Sequence, residues 1–271
     1  MWDFNHEPGQ SHLHQHYEVE LTMPSECAVR LLTGRADLGL IPIAALTADL
    51  AIVPGCTIAS LGQVRSIQLI VRAPLTLREV RTVAADTASL SSVAYAQVLF
   101  RHFVGTSPEF LPSPAYVEAM LATADAALLI GDPALLALER RAQIEARCGS
   151  CTWFDLAEEW NRHTGLPWVA AIWAVKPAAL STVAERERLI TDLNDSREHG
   201  MGHIDEIVRE WTTRIAVPPA TIRTYLTHNI HYTLDEACIE AIRTFRRLAA
   251  EVEALDPLPE LNFLSRQTAG N

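Results

Sequence analysis

Hydrophobic and polar positions divide the chain into a strand-rich first two thirds and a helical remainder. Between Gly34 and Arg72 the apolar runs 38–43, 51–53 and 66–71 are short. They are cut by Pro42, Pro54-Gly55 and Gly62. Runs of this length bounded by turn residues predict strands rather than a helix. Before them, residues 17–21 (Y-E-V-E-L) alternate apolar and polar, the pattern of a strand with one wet face. Ser25 then opens a helix with Glu26 in its first turn and Ala28, Val29, Leu31 and Leu32 on its buried side, stopping at Gly34.

Beyond Pro74 the pattern predicts a strand at 80–84 and a helical stripe of Val93, Ala96, Val98, Leu99 and Phe103. A strand at Phe110-Leu111, a helix over 114–123 and a buried strand over 124–130 follow. Residues 153–160 read as an amphipathic helix with Asp155 as its cap, and 168–175 (W-V-A-A-I-W-A-V) as a strand covered on both faces. Strands and helices in alternation imply a sheet sandwiched between helices. From Pro177 on, stripes at helical spacing dominate; the longest runs from Ala237 to Val252, and these faces carry no chemistry of their own. Because strands with polar residues at their edges fall in both halves, the chain is expected to form two lobes. One comprises 1–73 with 178–271, the other 74–177, with crossovers near Ala73 and Lys176.

Composition narrows the partners. A net charge of -11 and a pI near 5.4 leave no basic footprint, so neither nucleic acid nor an anionic membrane is an expected partner. No apolar run reaches the roughly 18 to 20 residues that span a bilayer, and the acidic, polar start is unlike a signal peptide, which points to the cytoplasm. Five cysteines suit a reducing compartment; Cys148 and Cys151 have redox or metal spacing but no companion pair, and read as free thiols. His12, His14 and His16 alternate, which would align three imidazoles on a strand. No Asp, Glu or Cys stands at a matching spacing, so a solvated loop is expected and no metal site is assigned.

Candidate chemistry lies where the strands end. Ser66 and Gln68 are polar positions in an apolar run, and ligands of open α/β sheets bind beyond strand ends. The bland alternative has Ser66 closing a turn and Gln68 facing water. After the strand at 80–84, D-T-A-S-L-S-S places Thr87, Ser89, Ser91 and Ser92 ahead of a helix. Hydroxyls and unpaired amides at a helix start suit an anion, although one serine serving as an N-cap would explain them equally. Gly131-Asp132 repeats the pattern after the buried strand. The clustered serines lack a G-x-S-x-G context for a hydrolase.

The segments G34-R-A-D-L-G-L-I-P, I58-A-S-L-G-Q-V-R-S66, D86-T-A-S-L-S-S-V93, A126-A-L-L-I-G-D132, T164-G-L-P-W-V170 and I230-H-Y-T-L234 occur together in one order. In that order and spacing they resemble the chorismate dehydratases of the futalosine route to menaquinone. The resemblance implies an α/β, two-lobed fold like the type II periplasmic binding proteins, with a ligand cleft between lobes. It implies a cytoplasmic hydro-lyase, without metal or organic cofactor, that converts chorismate to 3-[(1-carboxyvinyl)oxy]benzoate. Ser66 would be catalytic, and Thr87, Ser89, Ser91, Ser92, Gly131 and Asp132 would bind substrate. Two departures accompany it. Family members begin with a strand and an L-N-T-x-P-L-like motif whose Asn lies in the cleft, and Met1-Trp2-Asp3-Phe4 corresponds to the residues just after it. Leu90 and Ser91 stand where Arg and Thr are usual. A chain without that strand is expected to be poorly stable or inactive until a strand is supplied. The alternative class is a binding module that holds a small anion without turnover.

Overall fold

The computed structural model describes residues 1–86, 90–258 and 260–265. Two short helices, α1 (Trp2–Asn5) and α2 (Gly9–Leu13), precede α3 (Pro24–Leu32) and the first strands, β1 (Leu38–Pro42) and β2 (Ala51–Ser60). The second lobe follows as β3 (Ile67–Arg72), β4 (Thr82–Asp86), α4 (Leu90–Val98), β5 (Glu109–Ser113), α5 (Val117–Thr123) and β6 (Ala126–Ile130). It is completed by α6 (Asp132–Glu139), α7 (Arg141–Cys148), β7 (Cys151–Asp155) and α8 (Leu156–Thr164). The chain then returns through β8 (Trp168–Val175), α9 (Val183–Gly202), α10 (Ile204–Thr212), α11 (Pro219–Thr224), β9 (His231–Leu234) and α12 (Glu236–Glu251).

The strands form two sheets. One has the order β1-β8-β2-β9, antiparallel throughout; the other has the order β5-β4-β6-β3-β7, with β4 parallel to β5 and β6, and β3 antiparallel to β6 and β7. This corrects the expected lobe boundaries of 74 and 177. β3 shares its sheet with β4, and β8 belongs to the other sheet, so the crossovers lie at 61–66 and 165–167. Pro74 and Pro177 end strands, as prolines do, but the chain stays in the same lobe at each. The turns that change lobes carry Gly62 and Gly165 instead.

β3 shows why its sequence is a continuous apolar run. Ile67, Leu69 and Val71 are buried in the main core against α4 and α8, while Ile70 points into a second cluster with Met120 and Leu121 of α5 and Ile144 of α7. Both faces are covered, and each such side chain contributes roughly 1.5 to 3 kcal/mol. The main core runs through both lobes. Tyr95 of α4 stacks on Phe245 of α12 at 3.9 Å between ring centroids, meets Trp160 of α8 edge-on at 5.1 Å, and its hydroxyl donates to the Val169 carbonyl of β8 at 3.1 Å.

Three local expectations change. Trp153 and Phe154 lie in β7, and the helix begins only at Leu156, because Asp155 caps it there. Residues 2–13 are largely helical rather than a loop, so His12 and His16 meet edge to face at 5.8 Å instead of lining a strand. Residues 17–21 alternate as read but pair with no strand. Between them and the outer edge of β1, which has β8 on one side only, lies an open cavity of about 640 Å³. Tyr17, Val19 and Leu21 line one wall, Leu38 and Leu40 the other, and Met1 lies at its margin.

Such a space matches one extended strand able to bond to both sides. Fusing an apolar strand-forming segment ahead of Met1 is expected to fill it. About five ladder bonds at about 1 kcal/mol each, at about 2 to 4 °C per kcal/mol, raise the melting temperature by roughly 10 to 20 °C. Equal melting of the fused and unfused chains would show that the cavity does not accept a strand.

The first helix is docked by imidazoles. Trp2 is stacked between His6 at 3.6 Å and His203 at 4.4 Å, and His6 Nε2 sits 2.7 Å from Glu210 Oε1. Burial opposes the charge on His6, but the Glu210 and Trp2 hydrogen bonds outweigh it and hold its pKa above the usual 6.5. A raised folded value stabilises docking below the unfolded pKa, and that stabilisation is lost as pH rises through the folded one. Hydrogen exchange in residues 2–13, corrected for intrinsic rates, is expected to be slower at pH 6 than at pH 8, with the difference shrinking in His6→Gln.

Candidate active site

The site grows from one buried carboxylate. Asp155 ends β7 and caps α8, accepting from Ala157 N at 3.1 Å and Glu158 N at 3.2 Å. The same carboxylate accepts from Val64 N at 3.2 Å, Arg65 N at 2.6 Å and the Gln68 side-chain amide at 3.2 Å. Burial pushes its pKa up while the backbone amides pull it down, and burial wins. Gln68 is therefore a buried partner of Asp155, not a residue facing water as the plainer sequence reading had it. Arg65 is held at φ 64°, a left-handed backbone costly for a residue with a side chain, and that kink delivers Ser66 to the start of β3.

Register places the other candidates on the same edge. Ile67 pairs with Ile130 and Ala85 with Leu128, so Ser66 stands opposite Gly131, while Asp86 ends β4 beside Leu129, two residues back along β6 on the same sheet edge. Two strand spacings, about 10 Å, and a stagger of two residues separate Ser66 from Asp86. Gly131 N donates to the Ser66 carbonyl at 2.7 Å, and Gly131 has φ 67°, which favours glycine at this turn into α6. Asp132 opens α6 at the surface of this edge; surrounding protein raises its carboxyl pKa by desolvation.

The first lobe contributes the opposite wall. Tyr225, in a π-helical turn after α11, donates its hydroxyl to Ser66 Oγ at 3.1 Å. Ala44, in the turn after β1, donates its N–H to Ser91 Oγ at 3.1 Å, and its carbonyl accepts from Arg246 Nη1 of α12 at 3.1 Å. Arg246 is buried, and burial lowers its pKa against the pull of Asp256.

Of the sequence candidates, the structure brings Ser66, Gly131 and Asp132 to one place and sets Ser91 against Ala44. Ser92 is buried at the start of α4; Thr87 and Ser89 lie outside the described residues. Both Ser66 and the start of α4 belong to the same lobe, whereas the expected bounds of 1–73 and 74–177 put them in different ones. Tyr225 and Arg246 were not read as site residues, and Gln68, read with Ser66 as a polar strand-end position, supports the site through Asp155. Tyr225 is 159 positions from its partner, and its one sequence signal is the Y225-L pair close before I230-H-Y-T-L234. Elsewhere, His231, Asp235 and Cys238 lie within 4.8 Å of one another. Asp235 there caps α12 through Cys238 N at 2.8 Å and pairs with His231 at 3.0 Å, while burial and Asp235 push the Cys238 thiol up to about 12. Capping accounts for this group.

Two α/β lobes sharing a cleft at their sheet edges define the periplasmic-binding-protein class of fold. The structure superposes on the aliphatic sulphonate binding protein SsuA of Escherichia coli with a TM-score of 0.60 at 18% identity, covering 97% of this chain and 92% of that one. Protein AF1704 of Archaeoglobus fulgidus gives 0.67 at 14% identity, covering 93% and 92%. The chain belongs to the menaquinone biosynthesis family, whose model matches residues 2–251. It is 29% identical over 231 residues to a chorismate dehydratase of Thermus thermophilus, covering 81% of this chain and 82% of the relative.

Asp155→Asn leaves one acceptor oxygen where two now receive five donors and turns an amide toward backbone N–H groups. A loss of about 2 to 4 kcal/mol is expected, measured by urea unfolding. A change below 0.5 kcal/mol would mean that the hinge is held by its other contacts.

Proposed function

We propose that the chain is a cytoplasmic hydro-lyase that dehydrates chorismate to 3-[(1-carboxyvinyl)oxy]benzoate in the futalosine route to menaquinone. Its membership of the menaquinone biosynthesis family carries this reading, and the named dehydratase of Thermus thermophilus supports the reaction. The geometry suits the chemistry. Chorismate is a dianion with a ring hydroxyl, and loss of water makes its ring aromatic, so the protein mainly has to position the substrate and exclude water.

The edge bearing Ser66 and Gly131, with Ser91 at the start of α4 in the same lobe, carries hydroxyls suited to hydrogen-bond such a substrate. A carboxylate of the substrate removes the ring proton, and that proton leaves with the departing hydroxyl as water. Ser66 donates a hydrogen bond to the reacting group as charge develops. No metal or organic cofactor is required for this sequence of bonds.

Purified protein mixed with chorismate is expected to form an aromatic product detectable by absorbance. Ser66→Ala should lower turnover about tenfold or more, the scale of losing a positioned hydrogen bond or two. Binding of chorismate without any aromatic product would favour the module that holds a small anion without turnover.

A further inference from the structure

We infer that Tyr225 is the positioning residue that turns the Ser66 hydroxyl into a donor aimed at the substrate. The inference rests on the dehydratase reading above. A serine hydroxyl in isolation rotates freely and can donate to, or accept from, whatever is near. Here both oxygens of Ser66 are engaged as acceptors: Oγ receives the Tyr225 hydroxyl at 3.1 Å, and the carbonyl receives Gly131 N at 2.7 Å. The Ser66 hydroxyl hydrogen is the one left to donate. Its backbone cannot shift to compensate, because Val64 N and Arg65 N are tied to Asp155.

Tyr225 itself is fixed from both sides. It packs with Leu226 and Ile222 among the residues that join α10 and α11 to Leu135 and Leu136 of α6, on the other lobe. Burial, with Asp132 and Asp155 nearby, raises its phenol pKa, so the hydroxyl keeps the proton it donates. The π-helical turn over Tyr225–Asn229 widens the helix where the ring must reach across, a distortion found frequently at functional sites. The pair therefore spans the lobes: Tyr225 comes from the first, Ser66 from the second. The contact between the lobes and the orientation of the hydroxyl are one interaction.

The test is a double-mutant cycle with chorismate as substrate. Tyr225→Phe is expected to lower kcat about tenfold with KM within twofold of wild type, and to cause no further loss in a Ser66→Ala background. Additive losses, or full activity in Tyr225→Phe, would overturn the inference. Should Tyr225→Phe melt well below wild type, 2,3-difluorotyrosine at position 225 keeps the ring and strengthens the donor. Then kcat at least equal to wild type at a pH where the phenol is neutral supports the role, and a fall in kcat overturns it. If wild type forms no aromatic product, the dehydratase reading fails and takes the inference with it; if wild type turns over and the cycle is additive, only the inference fails.

Discussion

Everything near the cleft depends on the carboxylate of Asp155. Five donors from three segments converge on it: the first crossover at Val64 and Arg65, the β3 side chain of Gln68, and the first turn of α8. Taking a carboxylate out of water costs several kcal/mol, and hydrogen bonds to a charged group return about 1.5 to 3 kcal/mol each. The balance is modest in stability but large in specificity. A neutral residue of the same size would leave the crossover without a template, and the left-handed turn at Arg65 would relax. Ser66, the next residue, would lose its direction.

A second constraint acts between the lobes. In many two-lobed binders the crossovers act as a hinge and the lobes separate to admit ligand. Here the Tyr95 ring is packed against Phe245, Trp160 and Trp168 at once, so α4 and α8 of one lobe share a core with β8 and α12 of the other. A second apolar joint sets Leu135 of α6 against Val208, Val217 and Ile222. Opening the lobes widely would expose aromatic surface worth several kcal/mol. The cleft is consequently held near one geometry, which suits a reaction whose catalyst supplies position and dryness more than chemical groups.

How much of this was legible follows from the range of each interaction. β3 and β8 are apolar on both faces, and their sequences say so without any partner. Asp155 was legible as a helix cap because Ala157 and Glu158 are two and three residues away; its hold on Val64 and Arg65, about ninety positions distant, was not. Gln68 gave the wrong impression for the same reason, since a polar residue in a strand reads as wet until its buried partner is known. The crossovers were misplaced because Pro74 and Pro177 are louder signals than Gly62 and Gly165, yet a proline ends a strand without choosing the next sheet. Residues 17–21 alternate as a strand should, but a ladder needs a neighbour, and β1 stands across a cavity from them.

Electrostatics brings these threads to the substrate's charge. The chain carries -11 overall, and on its cleft edge Ser66 and Ser91 carry hydroxyls. Arg246 modifies that picture from behind. Its guanidinium is buried, bonds to the carbonyls of Ala44 and Asp256, and among the described residues has no carboxylate within salt-bridge distance. A cation in a low-dielectric interior acts over a longer range than one in water, and this one sits directly behind the turn whose N–H holds Ser91. An acidic protein can thus receive a dianion: the net charge opposes its approach, but over the last few ångströms oriented O–H dipoles act with a buried positive charge behind them.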